Sequence, residues 1–266
     1  MPEKQQFKSV LYISCDFQLY IGRLLAKENQ PASPCQLFAF ALEGEMNVSL
    51  NNGAMTISPK SIFYRRKVER RSALDGIYAY LFLEPGNRYR QILQYRMTQI
   101  AEHAYANIDD AEGFQHLFEN VLLNKPDIET VAGQLDNMIL NNKQHLLYEE
   151  DIDPRVITVM KVIKEEPKKN FTVEELAQQV YLSPSRLMGL FKKEAGMTLG
   201  KYNSFNKLIY AYYLLAQGQN LSAAASNAGF YDDSHLSKTS KKFLGILPSL
   251  LFSSQVSTKV ISTIEF

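Results

Sequence analysis

Cysteine is scarce in this chain. The two present, Cys15 and Cys35, lie 20 residues apart, a separation that matches no metal-binding spacing and makes no disulfide framework. Nothing near either in sequence would depress a thiol pKa, so they read as plain buried thiols rather than a redox pair. The four histidines, His103, His116, His145 and His235, fall outside every strand-like segment, which disfavours a metal-dependent β-barrel enzyme. No apolar run approaches the roughly 20 residues of a membrane span. The opening Met1-Pro-Glu-Lys-Gln-Gln-Phe7 lacks a basic stretch leading into an apolar one, so a cytoplasmic location is expected. Gly-x-Ser-x-Gly, Walker and dinucleotide fingerprints are absent, and Glu149-Glu150-Asp151 and Glu165-Glu166 read as solvated carboxylates rather than an acid–base pair. Catalysis and cofactor chemistry find no foothold, and neither a cofactor nor a metal is expected.

What is present is an ordinary globular composition with an uneven charge. The 266 residues are 45% hydrophobic and 21% charged, enough for about two domains with real cores. The net charge is +1, yet residues 151–266 carry +4 and the remainder −3. Within Tyr181–Phe252, eight basic residues (Arg186, Lys192, Lys193, Lys201, Lys207, Lys238, Lys241, Lys242) face three acidic ones (Glu194, Asp232, Asp233). A basic end on a near-neutral chain suits a polyanion-binding module joined to another unit.

The first part reads as short strands: Phe7–Ile13, Gln36–Leu42, Glu45–Leu50, Ala54–Ile57, Ser61–Tyr64 and Ile77–Leu83 are rich in β-branched and aromatic residues. Asn51-Asn52-Gly53 between two of them predicts a hairpin, because Asn-Gly tolerates positive φ. Many short strands with few helices suggest a sandwich or small barrel. After Pro85-Gly86 the spacing turns helical, over Arg88–Ala104, Ala111–Leu123 and Ile128–Asn141, with Pro126 separating the last two. Residues 143–152 read as a polar, acidic linker between a unit at 1–142 and a second unit at 153–252, with a tail at 253–266.

The second unit is unusually explicit. Asp153-Pro154 opens a helix as cap and first residue, with Val156, Ile157, Met160 and Ile163 expected to be its buried stripe. Thr172-Val-Glu-Glu175 is a capping box, and Phe171 with Leu176 is set as a hydrophobic staple. A short turn, Tyr181-Leu182-Ser183, leads to a second helix capped by Ser183, stapled by Leu182 and Leu187, and stopped at Gly196. Helix, tight turn, capped helix is the helix-turn-helix unit. A longer helix, about Gly200–Gln217, carries Tyr202, Phe205, Ile209, Tyr212 and Ala216 as one apolar ridge, and spans roughly 27 Å at 1.5 Å per residue. Then the pattern recurs: a helix from Leu221, a turn at Ala228-Gly229-Phe230, a cap at Asp232, and Tyr231 with Leu236 as the expected staple. Leu187 and Leu236 lie 49 residues apart, the mark of an internal duplication.

The outer face of the first such reader carries Ser185, Arg186, Met188, Gly189, Lys192 and Lys193. That of the second carries Ser234, His235, Ser237, Lys238, Lys241 and Lys242, with Asp233 beside them. Arg and Lys neutralise phosphates or donate to guanine, while Ser and His reach base edges at short range. Two readers on a rod of this length suit successive major grooves on one side of B-DNA, where the repeat is about 34 Å.

Residues 153–250 resemble the DNA-binding domain of the AraC/XylS family of bacterial transcription regulators. The resemblance is carried by Leu182-Ser-Pro-Ser-Arg-Leu-Met-Gly-Leu-Phe-Lys-Lys-Glu-Ala-Gly-Met197, by Ala224-Ala-Ser-Asn-Ala-Gly-Phe-Tyr-Asp-Asp-Ser-His-Leu-Ser-Lys238, and by Lys242-Phe-Leu-Gly-Ile-Leu-Pro248. It implies base contacts from Ser185, Met188 and Gly189 in the first reader and from Asp233, Ser234, Ser237 and Lys238 in the second. It also implies that the N-terminal part is an effector or dimerisation domain, a cupin-like β-barrel with trailing helices, giving an α+β protein. Three positions depart from the family pattern. Met188 and Gly189 replace polar or basic readers. Ser240 replaces a core aromatic, which suggests a looser second subdomain. Asp233 sits where phosphates pass, and is expected to cap its own helix.

The expected function is therefore a sequence-specific transcription regulator controlled at its N-terminal unit. Its expected partners are double-stranded DNA, a small-molecule effector and RNA polymerase, with no membrane, and it is expected as a monomer or homodimer, Arg88–Leu123 being the dimerisation candidate. The alternatives are a small-molecule-binding or enzymatic cupin with an appended helical module, and an interaction protein whose helices have lost the groove. The basic run Arg65-Arg66-Lys67-Val68-Glu69-Arg70-Arg71 reads as a solvated loop, and the β-prone Val256–Ile264 is left without a function.

Overall fold

The structure is a computed structural model that describes residues 7–14, 17–26, 36–50, 55–64, 70–84, 87, 89–140, 152–244, 247–252 and 256–262. Cys15, Cys35, the Asn51-Asn52-Gly53 turn, residues 65–69, Gly86, His145 and nearly all of the expected linker lie outside these residues.

A nine-stranded sheet dominates the N-terminal half. Its strands are β1 (Phe7–Ile13), β2 (Phe17–Ala26), β3 (Gln36–Leu50), β4 (Met55–Ile57), β5 (Ser61–Tyr64), β6 (Arg70–Leu83), β7 (Met97–Ala101), β8 (Ala104–Ile108) and β9 (Val256–Ser262). The spatial order is β7-β8-β5-β3-β6-β2-β1-β9, with β4 paired to β3. The order is an open path rather than a ring, so among the described residues the expected barrel is an unclosed sheet.

Three features depart from the sequence expectation. The two segments expected at 36–42 and 45–50 form one strand, β3, whose register against β6 shifts between Ala41 and Glu43. The bend is possible because Gly44 (φ 83°) faces Gly76: a Cβ on Gly44 would stand 2.2 Å from the Asp75 carbonyl oxygen, and one on Gly76 would stand 2.0 Å from that of Glu43. The segment expected to be helical over 88–104 keeps only α1 (Tyr89–Tyr95) as helix. The chain then turns into the β7–β8 hairpin, with His103 at φ 64° in its turn. The third departure is β9. This strand of the tail lies parallel to β1, in register from Phe7↔Val256 to Ile13↔Ser262, and covers an edge that would otherwise be unpaired. The Ser9 and Thr258 hydroxyls pin it across the strands at 2.7 Å.

Removing residues 253–266 is expected to expose the β1 edge. The truncated protein should melt earlier and self-associate as its concentration rises, which differential scanning calorimetry and size-exclusion chromatography would detect. An unchanged melting temperature and elution profile would show that β9 contributes nothing to the fold.

Alternation along the strands explains why they read as nearly continuous apolar runs. On one face, Val10, Tyr12, Phe17, Leu19, Ile21, Phe38, Phe40, Ala79 and Leu81 pack with α1, α2 (Ala111–Asn124) and α3 (Ile128–Leu140), through Phe114, Phe118, Val131 and Leu135. On the other, Leu11, Ile13, Tyr20, Leu24, Leu37, Ala39, Tyr80 and Phe82 belong to the same core as the C-terminal helices. The sheet is thus the middle layer of the molecule.

Those helices are α4 (Pro154–Glu165), α5 (Val173–Gln179), α6 (Pro184–Ala195), α7 (Leu199–Ala216), α8 (Leu221–Asn227), α9 (Asp233–Leu244) and α10 (Pro248–Leu251). In α4 the buried positions are Val156, Val159, Met160 and Ile163; the expected Ile157 is 54% exposed, because the stripe follows the 3, 4 step past it. Twelve of the 18 residues of α7 are buried, around most of its circumference. Such a helix needs partners on all sides, and it has them in both helix-turn-helix units and the sheet.

Candidate nucleic-acid interface

The two readers are α6 and α9. Each begins with a local device that the sequence spells out. Thr172 and Glu175 exchange both bonds of a capping box at α5, and Ser183 caps α6 by accepting from the Arg186 amide at 3.4 Å. Gly196 ends α6 at φ 73°. At α9 the capping bond runs from the His235 amide to Asp232 Oδ1 at 2.6 Å, so Asp232 holds the cap; Asp233 stands in the first turn, where its charge suits the helix dipole.

The expected second staple is corrected. Tyr231 is 92% exposed, and the buried partner is Phe230, whose ring meets the His235 ring edge-on at 5.3 Å. The second turn carries one residue more than the first. Leu182 donates to the Ala177 carbonyl at 3.0 Å and Phe230 to that of Ala225 at 2.9 Å, so Phe230 corresponds to Leu182, and Tyr231 is the extra residue before the cap.

Both readers are fixed from the inside by α7. Phe191 of α6 packs on Tyr202 with centroids 5.5 Å apart, and Phe243 of α9 packs on Phe205 at 5.7 Å. The expected looseness around Ser240 gives way to a filled site: Ser240 is fully buried, and its Oγ lies 2.6 Å from the Tyr212 hydroxyl, which takes the room an aromatic would need. Burial pushes the Tyr212 phenol well above its ordinary value, and the bond to Ser240 opposes that shift. Lys207, one of the eight basic residues of the stretch, is also internal. Its ammonium donates to Asn170 and, at 3.4 Å, to the Gly229 carbonyl, and burial lowers its pKa. It braces the second turn and adds nothing to the outer charge.

The outer faces are open. On α6, Ser185, Arg186, Met188, Gly189, Lys192 and Lys193 are exposed, Met188 at 48%. Lys193 also reaches Glu194 at 3.1 Å, a surface pair of small energy. On α9, Ser234, His235, Lys238, Lys241 and Lys242 are exposed, while Ser237 and Asp233 are half-buried. Among the described residues, neither the sheet nor the helices cover these faces.

Sequence reasoning missed the links between the sheet and the readers. Glu84, at the end of β6, is buried and accepts from Gln18 Nε2 at 3.3 Å and from the Tyr202 hydroxyl at 3.1 Å, with Lys164 Nζ at 3.6 Å. Since Tyr202 also carries Phe191, the sheet reaches the first reader through one side chain. Tyr20 of β2 belongs to the same core as Tyr212, whose hydroxyl lies 2.6 Å from Ser240 Oγ of the second reader. No local pattern announces these contacts, because they join distant residues: Glu84 and Tyr202 are 118 positions apart.

Paired capped helices with locked inner faces and cationic outer faces define a DNA-binding helix-turn-helix protein. Residues 176–253 match the family model described as a helix-turn-helix domain. A helix-turn-helix-type transcriptional regulator of Haemophilus influenzae is 21% identical over 92% of this chain and 94% of its own. The arabinose operon regulatory protein of Escherichia coli is 33% identical over 81 residues, which are 30% of this chain and 28% of that protein. The fold is shared with ToxT from Vibrio cholerae, at 12% identity and a TM-score of 0.56 over 89% of this chain and 98% of the other. The chain is a helix-turn-helix transcription regulator, and its C-terminal unit is similar to that of the arabinose operon regulatory protein. Among the described residues no helix is long and apolar enough to cross a membrane, and no three His, Cys, Asp or Glu side chains gather as a metal site.

Proposed function

We propose that this chain is a cytoplasmic, non-enzymatic regulator that reads double-stranded DNA with α6 and α9, under the control of a small molecule bound by the N-terminal unit. The observation that carries the reading is the division of each reader into a buried inner face and an exposed face of Ser, Arg, Lys and His. Lys192, Lys193, Lys241 and Lys242 supply phosphate contacts along the last turns. Ser185, Arg186, Met188 and Gly189 in α6, and Ser234, His235, Ser237 and Lys238 in α9, stand toward base edges. With Met188 and Gly189 at its centre, α6 holds the backbone more than it reads bases, and α9 carries more of the sequence choice.

Ligand control is supported by one ToxT structure bound to an unsaturated fatty acid on the same fold, and by the link from sheet to first reader through Glu84 and Tyr202. The remaining parts of the proposal are a domain boundary within 143–152, contact with RNA polymerase at the promoter, and a monomeric or homodimeric state.

The test begins with the genomic fragments that the purified protein retains. Lys238→Ala is expected to lose roughly 5- to 100-fold in affinity for the preferred sequence, and much less for a scrambled duplex, as removal of a base contact should. Equal losses on both duplexes would reassign Lys238 to the backbone. No retention of any fragment at low salt, with or without extracted small molecules, would end the regulator reading.

A further inference from the structure

We infer that Tyr181 and Tyr231 are a matched pair of DNA-backbone contacts, one for each reader, which place ring and hydroxyl against the sugar-phosphate strand at the rim of the groove. The inference rests on the DNA-binding reading and extends it to residues that lie outside both recognition helices.

The observations are conformational and positional. Tyr181 is 96% exposed and Tyr231 92%, more than any other large apolar side chain described. Neither ring packs the interior. Tyr181 nevertheless occupies a left-handed backbone position, φ 54°, where a bulky side chain is strained and glycine is the natural occupant. The duplicated unit shows what folding alone selects there: Gly229 holds the corresponding position at φ 77°. The two turns share their closing hydrogen bond, so the comparison is like for like. The second unit has an aromatic all the same, on the residue it adds before the cap. Each turn thus presents an exposed tyrosine by a different backbone route, once at the expense of a strained dihedral and once on an extra residue. Strain held at a side chain that contributes no packing points to a use outside the fold.

Position says what that use is. Tyr181 precedes the Ser183 cap by two residues and Tyr231 directly precedes the Asp232 cap. The first turn of a recognition helix lies deepest in the major groove. A residue one or two positions earlier is at most about 7 Å of chain away, which is where the groove wall rises to the phosphates. Tyrosine suits that place: its hydroxyl donates to a phosphate oxygen, and its ring covers deoxyribose. Being uncharged, it adds affinity without releasing a counterion.

Tyr181→Gly and Tyr231→Ser separate this role from a structural one. Binding is measured over a salt series, both to the genomic fragment selected by the unmodified protein and to a scrambled duplex of equal length. Each variant is expected to bind both duplexes roughly threefold to tenfold more weakly, with the slope of affinity against salt unchanged. Tyr181→Gly should also melt no lower than the parent, because it relieves the left-handed residue. Unchanged affinity in both variants overturns the inference, as does a loss confined to the selected fragment, which would make the tyrosines base readers. A lower melting temperature for Tyr181→Gly together with weaker binding would overturn it in favour of a structural role. If the unmodified protein binds neither duplex, the DNA reading itself fails; if it binds and the variants match it, only this inference does.

Discussion

Replacing Lys192, Lys193, Lys241 and Lys242 together by alanine is expected to weaken DNA binding by about two to three orders of magnitude at physiological salt. Each phosphate neutralised by a lysine releases condensed counterion, and contributes about −0.9 to the slope of log affinity against log salt. Four such contacts contribute about −3.6, so the variant's slope should be shallower by about 3.6, and at about 0.15 M salt their removal accounts for a loss near a thousandfold. All four side chains are exposed on the last turns of α6 and α9, so the fold should not notice their removal, and the melting temperature should stay within a degree or two. The salt slope, measured by fluorescence anisotropy on a labelled duplex, is the decisive number. A variant that loses affinity with no change in slope would place these lysines away from phosphates. Lys207 serves as the contrasting case: its ammonium is internal, and Lys207→Ala should lower stability rather than the salt slope.

The second large effect concerns Glu84. Glu84→Leu would remove the buried carboxylate that accepts from the Tyr202 hydroxyl and Gln18 Nε2 and faces Lys164; Gln18 Nε2 keeps the Ser14 carbonyl at 3.3 Å, so the cost falls chiefly on the fully buried Tyr202 hydroxyl. An unsatisfied buried donor costs about 1–3 kcal/mol. With Lys164 still able to reach water, a loss of about 2–3 kcal/mol is expected, equivalent to a fall of roughly 4–12 °C in melting temperature for a chain of this size. Glu84→Gln keeps an acceptor for Tyr202 and should lose less than half as much. The functional consequence follows from the Tyr202 ring on Phe191. With its hydroxyl released, Tyr202 no longer fixes α6 against the sheet, and footprinting should show weaker protection over the part of the site covered by the first reader. A Glu84→Leu protein that melts and footprints like the parent would show that the sheet and the first reader are not joined through this side chain.

The duplicated architecture joins the two readers to the sheet through different residues of α7. The first is tied by the hydrogen bond from Tyr202 to Glu84 at the end of β6, the second through Tyr212, which shares a core with Tyr20 of β2 and meets Ser240. Both connections run through α7, so a change of shape in the N-terminal unit meets the readers at the rod that sets their spacing. The tail adds a further tie, because β9 follows the second reader after the short α10 and pairs with β1.

What the sequence determined by itself was local. The capping box at Thr172, the Ser183 and Asp232 caps, the Gly196 stop and the 49-residue repeat are written in contiguous residues, since capping and periodicity depend on neighbours within one or two helical turns. Most strands of the sheet were visible for the same reason, but β2 and the β7–β8 hairpin were not. β2 is buried on both faces and carries no alternation to read, and the Met97–Ile108 segment has apolar residues that fit helix and strand alike until pairing with β5 decides. Only the tertiary structure settled how the halves meet. It buried α7 around most of its circumference rather than along one ridge, took Lys207 out of the basic face, gave Phe230 the staple expected of Tyr231, and used the tail as a strand. Each of these depends on which side chain wins a place in a core shared by distant segments, and that competition has no signature in any one stretch of chain.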